Sequence, residues 1–222
     1  QEGKPVMGEY DDTLMTEEYI EPDIQYPIQV GVDFGLTPAA IFGQKLPNGQ
    51  WAILHELVTF DMGLERFGYM LKGELETRFP KFDVLVWGDP AGQKRDEIFE
   101  VTAFDHLRTI GLVARPTATN DFRVRREAGA APMNRLIQGK PGLLVDKRCK
   151  RLRKALSGGY DFKRVQISGG ERYKDQPNKN EHSHVGDAFM YLLLGGGEHK
   201  RLTRGGNRNF TAAVANADFD IF

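Results

Sequence analysis

Three aspartates stand where a carboxylate has chemistry open to it. Asp33 closes the alternating run Val-Gly-Val-Asp-Phe-Gly, and Asp89 follows an apolar run in Val-Trp-Gly-Asp-Pro-Ala. Asp187 lies in His-Ser-His-Val-Gly-Asp-Ala. Carboxylate oxygens are the donors that hard divalent cations prefer, and Mg²⁺ takes a few of them together with waters and substrate phosphate. Two such ions roughly 3.5–4 Å apart activate a water and stabilise the leaving oxygen of a phosphodiester. Three converging carboxylates supply the ligands for that arrangement, and without a cation they repel. Each acid also has a plainer reading. Aspartate at a strand end is commonly a turn former or a helix cap, and for Asp33 or Asp89 taken singly that reading leads. Asp187 differs, because Val185, Ala188, Tyr191 and Leu192 mark its surroundings as a buried helix face. A carboxylate there needs a partner or a metal.

Other polar groups cluster nearby. His184 precedes Asp187 by three residues and shares its helical face; it either caps the helix start, the leading reading, or contacts a phosphate or a water. Lys179 is a phosphate contact or a solvated loop lysine. His182, Asp96, Asp146 and Asp175 read as surface residues. The net charge of −1 hides a segregation, with an acidic first thirty residues and a basic stretch from Lys140 to Lys174. Such a stretch suits a polyanion-binding face and equally a solvated helix surface. Within it Lys147, Arg151 and Lys154 are candidates for phosphate contacts, which position DNA without reading its sequence.

The elements that must place these residues follow from periodicity. Ile28, Val30 and Val32 alternate with Gln29, Gly31 and Asp33, a strand pattern that puts Asp33 on the face of Gly31, where there is space. Ala39–Lys45 and Trp51–Phe60 read as two more strands around Asn48-Gly49, a two-residue hairpin signal. Leu64, Phe67, Leu71, Leu75 and Phe79 define an amphipathic helix that Pro80 ends. Phe82–Trp87 reads as a strand buried on both faces. A helix around Glu97–Ile110, a strand at Leu112–Arg115, and a helix over Phe122–Gln138 with a break at Pro132 come next. Leu143–Val145 is a short strand, and Cys149, Leu152 and Leu156 form the inward stripe of the basic helix. Tyr160–Lys174 reads as a hairpin with Gly169-Gly170 at its tip, and a last helix spans His184–Leu194. The expected architecture is α/β, with a mixed sheet built from an antiparallel three-strand meander followed by α-β-α-β units and helices on both faces. Sites in open sheets of this kind form at strand ends.

The single cysteine, Cys149, excludes an internal disulfide and a thiolate metal cage. No secretory signal pattern is present, and the apolar stretch Ala188–Leu194 is far too short to span a bilayer. A soluble, intracellular chain is expected. Residues 1–27 lack apolar periodicity and read as an acidic linker, residues 28–197 as the ordered domain, and residues 198–222 as a flexible tail.

The three acid motifs, above all Ser183-His184-Val-Gly-Asp187-Ala188-Phe-Met-Tyr191-Leu, resemble the nuclease domain of a tailed-bacteriophage terminase large subunit over roughly Ile28 to Gly197. The resemblance implies a ribonuclease-H-like fold and an endonuclease that cuts double-stranded concatemeric viral DNA during packaging into procapsids. It carries a Mg²⁺ or Mn²⁺ ligand role, with two ions, onto Asp33, Asp89 and Asp187. It also implies work in the host cytoplasm, with the terminase small subunit and the portal protein as partners and an ATPase domain in the same full-length chain. Met190 departs from the family, where many relatives show arginine. No G-x-x-x-x-G-K-[ST] loop occurs, so the acidic opening is expected to be the end of a linker from such an ATPase domain. Two rival classes are an actin-like or sugar-kinase-like nucleotide-binding fold, suggested by Asp33-Phe-Gly-Leu-Thr37, and a DNA- or portal-docking module without catalysis. Resolvase-like and integrase-like branches of the nuclease fold share the acid trio.

Overall fold

The computed structural model describes residues 3–35, 37–93, 102–165 and 172–198. The chain opens with β1 (Gly3–Pro5), α1 (Asp12–Met15) and β2 (Thr16–Glu17). A meander follows, with β3 (Ile28–Asp33), β4 (Ala39–Lys45) and β5 (Trp51–Val58). Then come α2 (Leu64–Arg78), β6 (Val84–Gly88), α3 (Ala103–Thr109), β7 (Ala114–Pro116) and α4 (Phe122–Ala130). The small hairpin β8 (Leu136–Ile137) and β9 (Lys140–Pro141) leads to β10 (Leu143–Asp146) and α5 (Lys150–Lys154). The hairpin β11 (Asp161–Val165) and β12 (Arg172–Tyr173) precedes α6 (Ser183–Gly195).

Seven strands form one mixed sheet in the order β2-β10-β5-β4-β3-β6-β7. β3 lies inside the sheet, antiparallel to β4 and parallel to β6, as the meander-then-crossover pattern requires. Alternation along β3 sends Ile28, Val30 and Val32 into a core with Phe67, Leu71, Phe104 and Leu107 of α2 and α3. The opposite face carries Gly31 and Asp33 and meets α6, whose Ala188, Phe189 and Leu192 pack with Ile41, Trp51 and Ile53. The space expected beside Gly31 is filled by this helix: a Cβ on Gly31 would lie 2.2 Å from the Ala188 carbonyl oxygen and 2.4 Å from the Leu192 nitrogen.

Several sequence expectations need correction. Residues 3–17 are not a loose linker, because Val6, Met7 and Met15 are buried and β2 pairs with β10 at the sheet edge. Segments of two to four residues are too short to show a period. The Asn48-Gly49 signal does not make a two-residue hairpin. The turn spans Leu46–Gly49 with Gly49 N–H bonded to the Leu46 carbonyl, and of Asn48 and Gly49 only Gly49 has positive φ. Pro47 suits the first central position of such a turn, whereas a two-residue type I′ turn needs positive φ at both centres. β6 is only half-buried at Val84, Leu85 and Trp87, since the three-residue β7 is all that flanks it outside. Asp146 is not a surface acid. It is fully buried, accepting from the Ile20 N–H and the Arg148 guanidinium, which outweigh burial and hold its carboxyl below the usual range. The expected Pro132 break is present as the end of α4 at Ala130. The hairpin tip Gly169-Gly170, Asp96 and the tail from His199 lie outside the described residues.

At the sheet end opposite Asp33, the buried carboxylate of Glu198 accepts from Trp51 Nε1 at 2.9 Å and pairs with Lys45 at 3.0 Å and Arg135 at 2.6 Å. This clamp fixes the chain just beyond α6.

Candidate active site

β3 and β6 run side by side with Val32 in register with Gly88, so Asp33 and Asp89 emerge together at the same sheet end. The Asp89 N–H donates to the Val32 carbonyl, and the Asp89 Oδ1 accepts from the Ala91 N–H at 2.8 Å, an Asx turn that opens a 3-10 turn over Pro90–Gln93. α6 crosses the same face, with His184 bonded to Asp33, and carries Asp187, almost fully buried, at the same end of the sheet. Burial pushes the phenol of Tyr191, one turn further along α6, upward; the Arg125 charge opposes this, and the Asp89, Asp187 and Asp33 carboxylates add to it. β3, β6 and α6 thus carry the three predicted aspartates at the same end of the sheet.

Each carboxylate is engaged by protein groups. Burial pushes the Asp33 carboxyl up, the Asp187 charge adds to this, and a hydrogen bond between Asp33 Oδ2 and His184 Nδ1 at 2.8 Å opposes it. His184 thus does not cap α6; it reaches across to β3. The close approach needs a glycine at position 35, where a Cβ would stand 3.0 Å from the imidazole. Asp187 Oδ1 accepts from Arg125 Nη1 at 3.0 Å and from the Tyr160 hydroxyl at 3.1 Å, and Oδ2 forms an ion pair with Lys179. Lys179 is therefore no idle loop lysine, although its side chain remains 66% exposed.

Arg125 and Tyr160 were not legible as site residues. Arg125 is buried and lies over the Tyr191 ring at 4.6 Å. Burial alone would lower its pKa, but the carboxylate of Asp187 and its other partners carry it upward. Its signal is only positional: Arg125 falls on the stripe of Phe122, Ala128 and Gly129, which Arg126 borders and Arg123 does not. For Tyr160, burial first and Asp187 second push the phenol up, and nothing in Ser-Gly-Gly-Tyr announces it.

The three basic candidates divide. Lys147 is bonded to both carboxylate oxygens of Glu18. Arg151 and Lys154 are on α5; burial holds the His182 imidazole below its usual range and these two charges add to it, against an opposing pull from Glu181. His182 itself is part-buried rather than a surface residue. Asp175 is exposed, as expected.

Three carboxylates suit a hard divalent cation in donor type and in their placement at one sheet end. Among the described residues, no group of three or more His, Cys, Asp or Glu side chains is close enough to hold an ion as it stands. The Lys179 ammonium and the Arg125 guanidinium supply the compensating positive charge at Asp187.

No protein-family model matches the chain, and no curated protein does. Solved structures do. The P22 large terminase nuclease domain is similar over 86% of this chain and 91% of that one, at 10% identity and a TM-score of 0.63. The nuclease domain of g2p, the large terminase of bacteriophage SPP1, solved with bound Mn, is similar over 80% of this chain and 93% of its own, at 16% identity and a TM-score of 0.53. The large terminase of a thermophilic bacteriophage is similar over 86% of this chain at 17% identity and a TM-score of 0.61, and this chain spans 45% of its length. At these identities the likeness is one of fold. The chain has the ribonuclease-H-like fold of large-terminase nuclease domains, as the motif resemblance implied.

Proposed function

We propose that this chain is the nuclease part of a large-terminase-type DNA-packaging protein, an endonuclease that hydrolyses double-stranded concatemeric viral DNA using Mg²⁺ or Mn²⁺. One observation carries the reading: adjacent parallel strands end in Asp33 and Asp89, and α6 lays Asp187 on the same face of a terminase-nuclease fold. These three side chains would hold the metal, which when bound activates a water and stabilises the leaving oxygen. His184 orients Asp33, Arg125 and Tyr160 orient Asp187, and Arg151 and Lys154 of α5 are the candidates for backbone-phosphate contacts. An ATPase domain in the full-length chain, a small subunit, a portal protein and a bacterial cytoplasmic setting belong to the same proposal. Among the described residues no helix is long and apolar enough to cross a membrane.

A second reading, a DNA- or portal-docking module without catalysis, draws on the engagement of Asp187 by Arg125 and Lys179. Incubation with supercoiled plasmid separates the two. The nuclease reading expects nicking or linearisation with Mn²⁺ or Mg²⁺, no cutting in EDTA, binding without efficient cleavage in Ca²⁺, and loss of cutting in Asp33→Ala. Plasmid left equally intact by wild type and variant across metals and salt establishes the docking module instead.

A further inference from the structure

A large exposed aromatic ring sits on the same end of the sheet as the acids. Phe60 is 53% exposed, although a phenylalanine gains by burial. Its backbone is held on both sides. Before it, the buried Thr59 donates from its hydroxyl to the Pro38 carbonyl at 2.7 Å and from its N–H at 3.3 Å. After it, Asp61 takes a positive φ of 44°, a left-handed conformation that non-glycine residues adopt at a cost. The loop is thus built to present the ring outward. Arg151 stacks on it, with the guanidinium carbon 4.6 Å from the ring centroid. Arg151 is fixed as well, because the Glu56 carboxylate of β5 accepts from the Arg151 and Leu152 N–H groups at 3.0 and 2.8 Å and so ties the start of α5 to the strand that leads into Phe60.

The place of this pair follows from strand register. Val58 pairs with Ala39, and Ala39 pairs with Asp33. Two strand spacings put the β5 exit about 10 Å from the end of β3. A planar cation on one face of an aromatic ring, beside the basic helix α5, suits a flat anionic ligand that offers a π-face and a phosphate together. Nucleic-acid bases have this form, but inside a duplex their faces are covered by neighbours, so the ligand must be an unstacked base.

We propose that Phe60 and Arg151 form a stacking plate that takes one unpaired base of a DNA strand passing the Asp33 end of the sheet. The substrate class rests on the nuclease reading, and the place of the plate rests on the geometry above. Fluorescence anisotropy of the 222-residue chain with labelled oligothymidine and with a blunt duplex, in EDTA so that nothing is cut, tests it. Phe60→Ala is expected to weaken oligothymidine binding about tenfold, in line with aromatic–base stacking, and to leave duplex binding within about twofold. Phe60→Trp should retain the affinity and show quenching of the new indole by oligothymidine. Phe60→Leu, which keeps apolar bulk without a π-face, should behave like Phe60→Ala. The plate is overturned if wild type does not bind oligothymidine, if Phe60→Ala binds it like wild type or loses both ligands equally, or if Phe60→Leu restores binding; self-association of wild type that Phe60→Ala abolishes assigns the ring to a second copy instead. The nuclease reading fails separately. Loss of plasmid cutting with an intact Phe60 effect removes catalysis and leaves the plate, and cutting without that effect does the reverse.

Discussion

Asp187 shows how much of a site one residue can announce and how much it cannot. A carboxylate among Val185, Ala188 and Leu192 demands compensation, and that was legible; the identity of its partners was not, because Arg125 and Tyr160 are distant in sequence and carry no local signal. His184 illustrates the same gap. Its spacing from Asp187 fits a cap or a site residue alike, and only the approach of α6 to β3 decides for Asp33. Arg125→Met leaves the buried Asp187 facing only Tyr160 and the half-free Lys179. We expect a loss of about 3–5 kcal/mol in urea denaturation, the usual cost of stripping one partner from a buried pair; a loss below about 1 kcal/mol shows that Lys179 compensates unaided. His182 gives a pH dependence. Its folded pKa lies below the ordinary 6.5, so the unfolded chain takes up the proton first. Its contribution to stability is present above pH 6.5 and is lost as pH falls through the lowered folded value. His55 is shifted the same way by burial and by Arg78. His182→Gln should therefore lose less stability than wild type on acidification across this window, as read from urea midpoints at matched pH values.

Among the elements, the long periodic ones were readable. The meander, α2 and α6 stand within a residue or two of their expected limits, since each buries a continuous apolar face. The short ones were not: β1, α1 and β2 owe their form to what they pack on. The turn after β4 shows a local signal overridden by its neighbour, as Pro47 reshapes what Asn48-Gly49 would otherwise make. The contact between β3 and α6 is the element-scale feature on which the acids depend. Gly31→Ala puts a methyl into the α6 backbone, and overpacking of this kind costs about 1–3 kcal/mol. Because α6 must shift to admit it, metal-dependent plasmid cutting should fall far more than the melting temperature does; unchanged cutting in Gly31→Ala would show that Asp187 tolerates displacement.

For the whole molecule, the sequence conveyed the layered α/β plan but not how its termini join it. Residues 3–17 close one sheet edge and bury Val6, Met7 and Met15, while Arg126 of α4 is tied to Glu9 and to the Val6 carbonyl. Deleting residues 1–17 should cost about 5 kcal/mol, given roughly 1.5–3 kcal/mol for each buried apolar side chain, and should promote aggregation through the bared β10 edge. A deletion variant with an unchanged melting temperature and no aggregation would return this segment to the status of a linker. At the far end, Glu198→Ala removes the clamp under Trp51 and should lower stability by about 3 kcal/mol, measurable by urea denaturation.

The placement of Asp187 near the beginning of α6 and of Glu198 just past its end makes that helix a shaft keyed at both tips. Its 13 residues rise about 20 Å. A slip of a single residue along this shaft would tear the carboxyl group at one tip from its guanidinium and the carboxyl group at the other from its indole in the same motion. The precision with which the acid at one pole is aimed is therefore stored partly at the opposite pole, in a tryptophan that never touches it.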